Sequence, residues 1–259
     1  MARLAGTYDV FAEVYRELWS PVLQPLTVEL LDRLPLASAR LVVDVGTGVG
    51  AAMPAIREGA RSATIVGVDR SIGMMRWAPA TEHRVVMDAS RLALRSSIAD
   101  VVVAAFMLFH LPDPLLGLVE IGRVIKPGGS MGVTTWGRDG EGRAWTVWRE
   151  ELDASGATEP GADNKITNHD AVDTPTKLRD LLARAGFTSV RVDSLPLSHR
   201  VDLAAFIDLQ VRYSSAERLA SLTPSARARV IDRATERLSR LSGEDFIDRS
   251  EVLVGAALA

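Results

Sequence analysis

Short apolar runs alternate with amphipathic segments along the first 136 residues. Five runs rich in valine, isoleucine and alanine have the length of buried strands: 40–45, 63–69, 84–88, 100–108 and 130–136. Between them, segments with apolar residues at spacings of three and four predict helices over 51–58, 71–77 and 115–125. Strands that alternate with helices in this way are typical of βαβ units. The pattern predicts an α/β fold built on a parallel sheet with helices on both faces.

The rest of the chain adds helices, one long loop and two more strands. Residues 7–34 have a helical pattern that Pro21 interrupts, which predicts an N-terminal helical cover over 1–35. Glycines and prolines predict a loop-rich excursion over 137–174 that holds one short helix, followed by a helix over 174–186. The later pattern predicts a sixth strand at 190–195 and a seventh at 251–257. Between these two strands it predicts a helical lid insertion over 202–242. We expect a single domain, 1–259, with a mostly parallel seven-stranded sheet.

Composition excludes several classes of protein. Of the 259 residues, 47% are hydrophobic and 24% charged, which are values of ordinary globular chains and not of disordered or fibrous ones. The net charge of −3 and the lack of a long basic run make nucleic acid an unexpected partner. No apolar run approaches the roughly 20 residues of a membrane span, and the first residues lack a signal-peptide pattern. With zero cysteines, we expect a cytoplasmic protein without a thiolate metal site.

A glycine-rich loop follows the first predicted strand. Gly46, Gly48 and Gly50 give the spacing G-x-G-x-G, not the G-x-G-x-x-G of dinucleotide binders, and no P-loop lysine follows. Such a loop lets backbone N–H groups approach a ligand, although simple turn formation explains it about as well. Asp69 ends the next strand, 23 positions after Gly46. A carboxylate there can accept both hydroxyls of a ribose, a role that we favour over simple helix capping.

Five ordered motifs together carry a family resemblance. They are Val42–Gly50 (VVDVGTGVG), Val66–Asp69 (VGVD), Met87–Ala89 (MDA), Asp100–Pro114 and Val124–Gly129 (VIKPGG). In this order and spacing, the chain resembles the class I S-adenosylmethionine-dependent methyltransferases that act on small molecules, strongly over residues 7–136. The resemblance implies a Rossmann-like, doubly wound sheet and S-adenosylmethionine as cofactor.

The resemblance also implies roles for individual residues. The Gly46–Gly50 loop, with Thr47, would hold the methionine part of the cofactor, and Asp69 its ribose. Arg70 and Met74 would flank the adenine, Asp88 would accept from its amino group, and Ala89 would supply a backbone N–H. Phe106 would face the sulfonium, and Tyr15 and Tyr8 of the N-terminal helix are further candidates. Relatives often carry Asn or Ser near Ala105, where this chain is apolar.

Several residues keep two interpretations. Asp44 either orients the cofactor or satisfies the N–H groups of the loop. His110, which follows the fourth strand, is a candidate catalytic base because the pKa of histidine lies near 6.5, although a structural role is the commoner one. His169 is interpreted as a lone surface or capping histidine, so that no metal site is expected. Trp136, Trp145 and Trp148 either pack the excursion onto the body or form an aromatic wall for an acceptor.

The leading hypothesis is an enzyme that transfers a methyl group from S-adenosylmethionine to oxygen, nitrogen or carbon of a small organic acceptor, in secondary or quinone-like metabolism. The acceptor is expected at the mouth formed by the N-terminal helix, the excursion and the helical insertion. An alternative is a cofactor-binding regulatory or partner protein without methyl transfer. A nicotinamide-dependent oxidoreductase is disfavoured by the loop spacing. An oligomer is possible, but the sequence does not require one.

Overall fold

A seven-stranded sheet with strand order β3-β2-β1-β4-β5-β9-β6 organises the chain. The computed structural model describes residues 2–158 and 168–259, without the side chains of residues 2–5 and 7. Part of the predicted excursion, 159–167, lies outside the described residues. Two compact units are distinguished: Met1–Arg138 with Ile166–Leu195 and Glu251–Ala259, and Asp139–Lys165 with Pro196–Ser250.

The first unit contains the sheet. Its strands are β1 Leu41–Val45, β2 Thr64–Asp69, β3 His83–Val86, β4 Ala99–Ala105, β5 Ile125–Trp136, β6 Thr188–Pro196 and β9 Glu251–Leu258. The pairs β3–β2, β2–β1, β1–β4 and β4–β5 are parallel, and β5–β9 is antiparallel. The predicted Rossmann-like, mostly parallel seven-stranded sheet is confirmed. Its central strands β1 and β4 are almost fully buried, as continuous valine runs require.

Helices of the first unit connect and cover the strands. They are α1 Ala2–Val14, α2 Ser20–Leu31, α3 Met53–Gly59, α4 Ile72–Met75, α5 Pro114–Val124 and α7 Pro175–Arg184. A π-helical turn over Tyr15–Trp19 joins α1 to α2. Proline occupies the first turn of α2, α3, α5 and α7, where its missing N–H costs no hydrogen bond. These helix starts agree with the sequence prediction.

Two local predictions need correction. The fourth strand ends at Ala105 and not at Leu108, because Phe106 adopts a positive φ of 53° that breaks the strand geometry. The fifth strand begins at Ile125 and not at residue 130: Ala99 pairs with Ile125 and Val101 with Ser130, so the intervening residues form a bulge within β5. Gly128 has a φ of 76° there, a conformation that glycine adopts without a steric penalty.

The second unit is mostly helical. It holds α6 Arg143–Ala154, β7 His199–Arg200, α8 Leu203–Leu209, α9 Ala216–Ala220, α10 Pro224–Leu238 and β8 Ile247–Asp248, with a π-helical turn at Gln210–Ser214. The antiparallel pair β7–β8 was not predicted, since two-residue strands leave no periodic pattern. Trp145 and Trp148 contact Phe206 in the core of this unit. Of the two roles considered for these tryptophans, both side chains therefore have the packing role.

Candidate functional site

A cavity opens at the carboxyl ends of β1, β2 and β4 in the first unit. Residues of α1, of the π-helical turn and of α2 complete its wall. Carboxyl ends of neighbouring parallel strands are where ligands bind in open α/β sheets. Most predicted cofactor residues line it: Tyr15, Asp44, Gly46, Thr47, Gly48, Asp69, Arg70, Met74, Ala89 and Phe106, together with His110.

The loop after β1 is a tight glycine turn at the cavity wall. The N–H groups of Gly46 and Thr47 donate to the carbonyl oxygen of Val68, at 2.8 and 3.1 Å, which fixes the loop against β2. Gly46 and Gly48 have positive φ of 74° and 54°. A Cβ at Gly46 would lie 2.5 Å from Cβ of Met107, whereas a Cβ at Gly48 would have no atom within 4 Å. Gly46 is thus required by packing, and Gly48 faces open space.

Asp69 lies at the centre of the predicted ribose site. Its Oδ2 accepts from the N–H of Gly48 at 2.9 Å, and its Oδ1 accepts from the N–H of Ser71 at 2.8 Å. A carboxylate has about four lone-pair sites, and the N–H groups of Gly48, Ser71 and Arg70 all bond to this one. Burial raises the pKa of Asp69, while these three backbone bonds oppose that rise. The carboxylate is oriented by the backbone around it and keeps acceptor capacity for ligand hydroxyl groups.

Asp44 is buried beneath the loop. Its Oδ2 accepts from the hydroxyl of Thr47 at 2.6 Å, so its partner is a side chain and not an N–H group of the loop. Burial raises the pKa of Asp44 to about 6, with a smaller contribution from the charge of Asp69; the bond from Thr47 opposes the rise. Asp44 fixes Thr47 at the cavity wall.

Two predicted cofactor residues lie outside the lining that the described residues form. Asp88 is partly exposed, its Oδ1 accepts from the N–H of Ser90 at 2.8 Å, and its Oδ2 lies 3.8 Å from Nη2 of Arg70. A Cβ at Gly50 would lie 2.5 Å from Cδ of Pro79, so this glycine faces the protein and not the cavity. Met87 and Ala89, on either side of Asp88, line the cavity.

Phe106 combines backbone strain with aromatic packing. At a φ of 53° its backbone costs roughly 1–3 kcal/mol, a strain that persists only where the surroundings impose it. Its N–H donates to Thr134, both to the carbonyl oxygen at 3.0 Å and to Oγ1 at 3.1 Å. The ring centroid lies 5.2 Å from Trp136, which in turn lies 6.0 Å from Trp19. Unlike Trp145 and Trp148, Trp136 supports a side chain of the cavity wall.

Helix α1 is attached to the cavity at two points. The hydroxyl of Tyr8 lies 3.1 Å from Nε2 of His110. Oδ1 of Asp9 accepts from the hydroxyl of Ser71 at 2.6 Å and from the N–H of Gly73 at 2.7 Å, at the start of α4. Sequence reasoning missed Asp9, because a carboxylate in a helix gives no local sign of a partner more than 60 residues away.

The surroundings of His110 lower the pKa of its imidazole. Burial lowers the pKa of His110 to about 4, so the imidazole is neutral at pH 7. Its Nδ1 has no hydrogen-bond partner among the described residues. The side chain therefore has a free ring nitrogen beside the cavity in its neutral form.

Helix α2 contributes lining residues that sequence reasoning also missed. Ser20, Leu23, Gln24 and Thr27 line the cavity from one face of this helix. Positions i, i+3, i+4 and i+7 share a helix face, so the signal was present as a partly polar stripe on an otherwise apolar helix. Leu30 of the same helix packs on β5, since a Cβ at Gly132 would lie 3.0 Å from its Cδ1.

A group of possible metal ligands lies near the site. One ligand atom of each of His169, Asp170 and Asp173 lies within 4.8 Å of the others, which differs from the interpretation of His169 as a lone histidine. Nζ of Lys177 already lies 2.7 Å from Oδ1 of Asp173. The ammonium group of Lys177 is thus already paired with one of the carboxylates that a metal ion would need.

Comparison with known proteins agrees with this geometry. Residues 43–133 match the model of the methyltransferase domain family. This stretch is a methyltransferase domain, as the motifs predicted, and the family together with its structural neighbours supports S-adenosylmethionine as the cofactor.

Individual relatives differ in what they act on. The malonyl-[acyl-carrier protein] O-methyltransferase of Marinomonas sp. is 33% identical over 136 residues, 49% of this chain and 46% of that protein. The ubiquinone/menaquinone biosynthesis C-methyltransferase of Syntrophotalea carbinolica is also 33% identical over 136 residues, 50% of this chain and 56% of that protein. The chain thus spans about half the length of these curated relatives.

Solved structures show the same fold. Phosphoethanolamine N-methyltransferase 2 of Haemonchus contortus, in complex with S-adenosylhomocysteine, superposes with a TM-score of 0.56 at 17% identity, over 96% of this chain and 57% of that one. Separately, none of the helices in the described ranges combines the length and apolar character needed to cross a membrane.

Proposed function

We propose that this protein transfers the methyl group of S-adenosylmethionine to a small organic acceptor. The observation that carries the proposal is the carboxylate of Asp69, held at the cavity wall by the N–H groups of Gly48, Ser71 and Arg70. Open space beside Gly48 gives a ligand room to approach the loop backbone. These residues fit a ribose-bearing ligand whose other end lies along the loop.

The chain would contribute mainly binding, alignment and exclusion of water. When bound, the cofactor would supply an electrophilic methyl group on a sulfonium, which the acceptor atom would take while the electrons of the broken carbon–sulfur bond stay on sulfur. Asp69 and the Gly46–Gly50 loop would fix the cofactor, while Phe106 and Tyr15 would close the cavity around the reacting atoms. Alignment of two reactants accounts for much of the rate in such displacements.

His110 is the residue proposed to take up a proton when the acceptor is a hydroxyl group. Its imidazole is unprotonated at pH 7 and has a nitrogen that can accept a proton, while the lowered pKa of about 4 makes it a weaker base than an ordinary histidine. The cofactor would lose its positive charge in the same step in which the imidazole gains one, so the net charge of the site would stay the same. Acceptors that already carry a free electron pair, such as an amine or an enolate, would not need this residue.

Titration of the purified protein with S-adenosylhomocysteine, by isothermal calorimetry, tests the proposal, with NADH as a parallel control. We expect micromolar binding of S-adenosylhomocysteine alone, and a loss of at least tenfold in the Asp69→Asn variant, because an amide presents only one acceptor oxygen to the two hydroxyls. A preference for NADH would contradict the assignment of the cavity.

A second candidate is a cofactor-binding protein that does not transfer methyl groups. It is favoured by the low basicity of the enclosed His110, the only histidine that lines the cavity among the described residues. Tight binding of S-adenosylhomocysteine, together with no methylated product from extracts of small metabolites, would support this candidate over the enzyme.

A further inference from the structure

The cavity divides into two halves that follow the order of strands in the sheet. The predicted cofactor residues Asp69, Arg70 and Ala89 lie at or just after the ends of β2 and β3, on one side of β1. Helix α2 packs against β5 and β9, on the other side of β4. The wall that α2 and the residues after β4 form is therefore the half opposite the predicted adenosine site. We name this wall the α2 half of the cavity.

Charge separates the same two halves. The charged side chains that line the cavity are Asp44, Asp69 and Arg70, and all three belong to β1, β2 or the residue after β2. In the α2 half, each described lining side chain is apolar, an alcohol, an amide or the neutral imidazole of His110: Ser20, Leu23, Gln24, Thr27, Phe106, Met107, His110 and Leu111.

Burying an anion in the α2 half would be costly. A carboxylate or phosphate that leaves water needs charged donors, and arginine or lysine usually supplies them. The three hydroxyl and amide side chains of α2 offer hydrogen bonds to neutral groups instead. Thr27 is partly used, since its hydroxyl donates to the carbonyl oxygen of Leu23 at 3.2 Å. Gln24 is exposed at the rim and keeps both a donor and an acceptor.

Phe106 gives this half a flat, fixed surface. Phe106 is only 8% exposed, and its ring packs against Trp136, which in turn packs against Trp19. The positive φ of Phe106 and the two bonds of its N–H to Thr134 hold the residue in one conformation. A rigid aromatic surface packs best against another planar ring.

We propose that the α2 half is the acceptor subsite and that it takes an uncharged planar ring compound with a hydroxyl or carbonyl group, with Phe106 as the ring contact and Gln24 as the hydrogen-bonding residue at the rim. This inference rests on the proposed function, because it assigns the other half to the cofactor. It distinguishes this chain from relatives whose names specify a malonyl group, which has a free carboxylate.

The test uses two probes of matched shape, 1-naphthol and 1-naphthoate, which are neutral and anionic at pH 7.5. The protein is first saturated with S-adenosylhomocysteine, and each probe is then titrated by calorimetry. We expect 1-naphthol to bind at least tenfold more tightly than 1-naphthoate. Equal affinities, or tighter binding of 1-naphthoate, would overturn the proposal.

A charge introduced on α2 tests the location of the subsite. Gln24→Arg should improve the affinity for 1-naphthoate about tenfold and leave S-adenosylhomocysteine binding unchanged. Val28→Arg is the matched control, because Val28 is exposed on the same helix and does not line the cavity. If both variants bind 1-naphthoate alike, α2 does not contact the acceptor. Failure of S-adenosylhomocysteine to bind would instead refute the proposed function itself.

Discussion

The hydroxyl of Tyr8 lies 3.1 Å from Nε2 of His110, so one hydrogen bond joins the N-terminal helix to the segment after β4 at the cavity wall. The two rings also make an edge contact, with centroids 5.3 Å apart. Both residues line the cavity, so this hydrogen bond holds two segments of the cavity wall together.

Removing this bond should weaken ligand binding without unfolding the protein. Tyr8→Phe keeps the ring contact and loses one hydrogen bond, which contributes about 1 kcal/mol. We expect the affinity for S-adenosylhomocysteine, measured by calorimetry, to fall about fivefold. In a His110→Phe background the same change should have no effect, since the partner is already absent. An equal loss in both backgrounds would show that the bond does not matter.

The second attachment of α1 predicts a kinetic effect. Asp9→Ala removes the acceptor of the Ser71 hydroxyl and of the Gly73 N–H. Helix α1 should then open more often, and dissociation of S-adenosylhomocysteine, followed by stopped-flow fluorescence, should be several-fold faster. Glu13→Ala, at an exposed position of the same helix, is the control and should leave the rate unchanged. Identical rates in the two variants would count against a covering role for α1.

The glycines of the loop should respond differently to alanine. Gly46→Ala would place its Cβ 2.5 Å from Met107, in addition to the strain of a positive φ, so it should strongly lower the free energy of unfolding. Gly48→Ala meets no protein atom and should cost only about 1–2 kcal/mol, from φ alone. If the ligand occupies the space beside Gly48, that variant should lose S-adenosylhomocysteine binding while it remains folded. Unchanged affinity would place the ligand elsewhere.

The burial of Asp44 predicts that the free energy of unfolding depends on pH. Its pKa of about 6 in the fold exceeds the ordinary 3.8, so the folded state holds an additional proton between about pH 4 and 6. The free energy of unfolding therefore falls as pH rises through that window, by on the order of 3 kcal/mol. Asp44→Asn carries no charge and should be more stable than wild type by about that amount above pH 6.

Denaturant titrations of both proteins from pH 4 to 8 measure this difference. It should vanish near pH 4, where Asp44 is protonated, and reach its full value by pH 7. Other titrating groups, including His110, are present in both proteins and cancel. A difference that does not change with pH would mean that the charge of Asp44 is not what the fold opposes.

Local pattern determined much of what could be predicted. Buried valine runs in β1 and β4, and prolines at helix starts, are consequences of burial and backbone geometry that act within a few residues. The glycine loop and Asp69 belonged to the same predictable class, since both sit at strand ends. Their placement at one cavity follows from parallel pairing alone.

Other features of the site depend on contacts between distant segments. The pairing of Tyr8 with His110, and of Asp9 with Ser71, joins residues that no local pattern connects. The positive φ of Phe106 has no signal in its residue type, because phenylalanine disfavours that conformation. Gly50 and Asp88 belong to the motifs but lie outside the described cavity lining: a Cβ at Gly50 would meet Pro79, and Asp88 accepts a hydrogen bond from Ser90.

The place of β9 has a consequence for the order in which the chain is made. This strand lies between β5 and β6, and it joins the sheet only after the whole second unit has been synthesised. Until residues 251–258 leave the ribosome, β5 presents an open edge and β6 lacks its neighbour in the sheet. The nascent sheet can therefore form early, but it is closed only after the second unit has been made, which gives chaperones a long interval in which to bind.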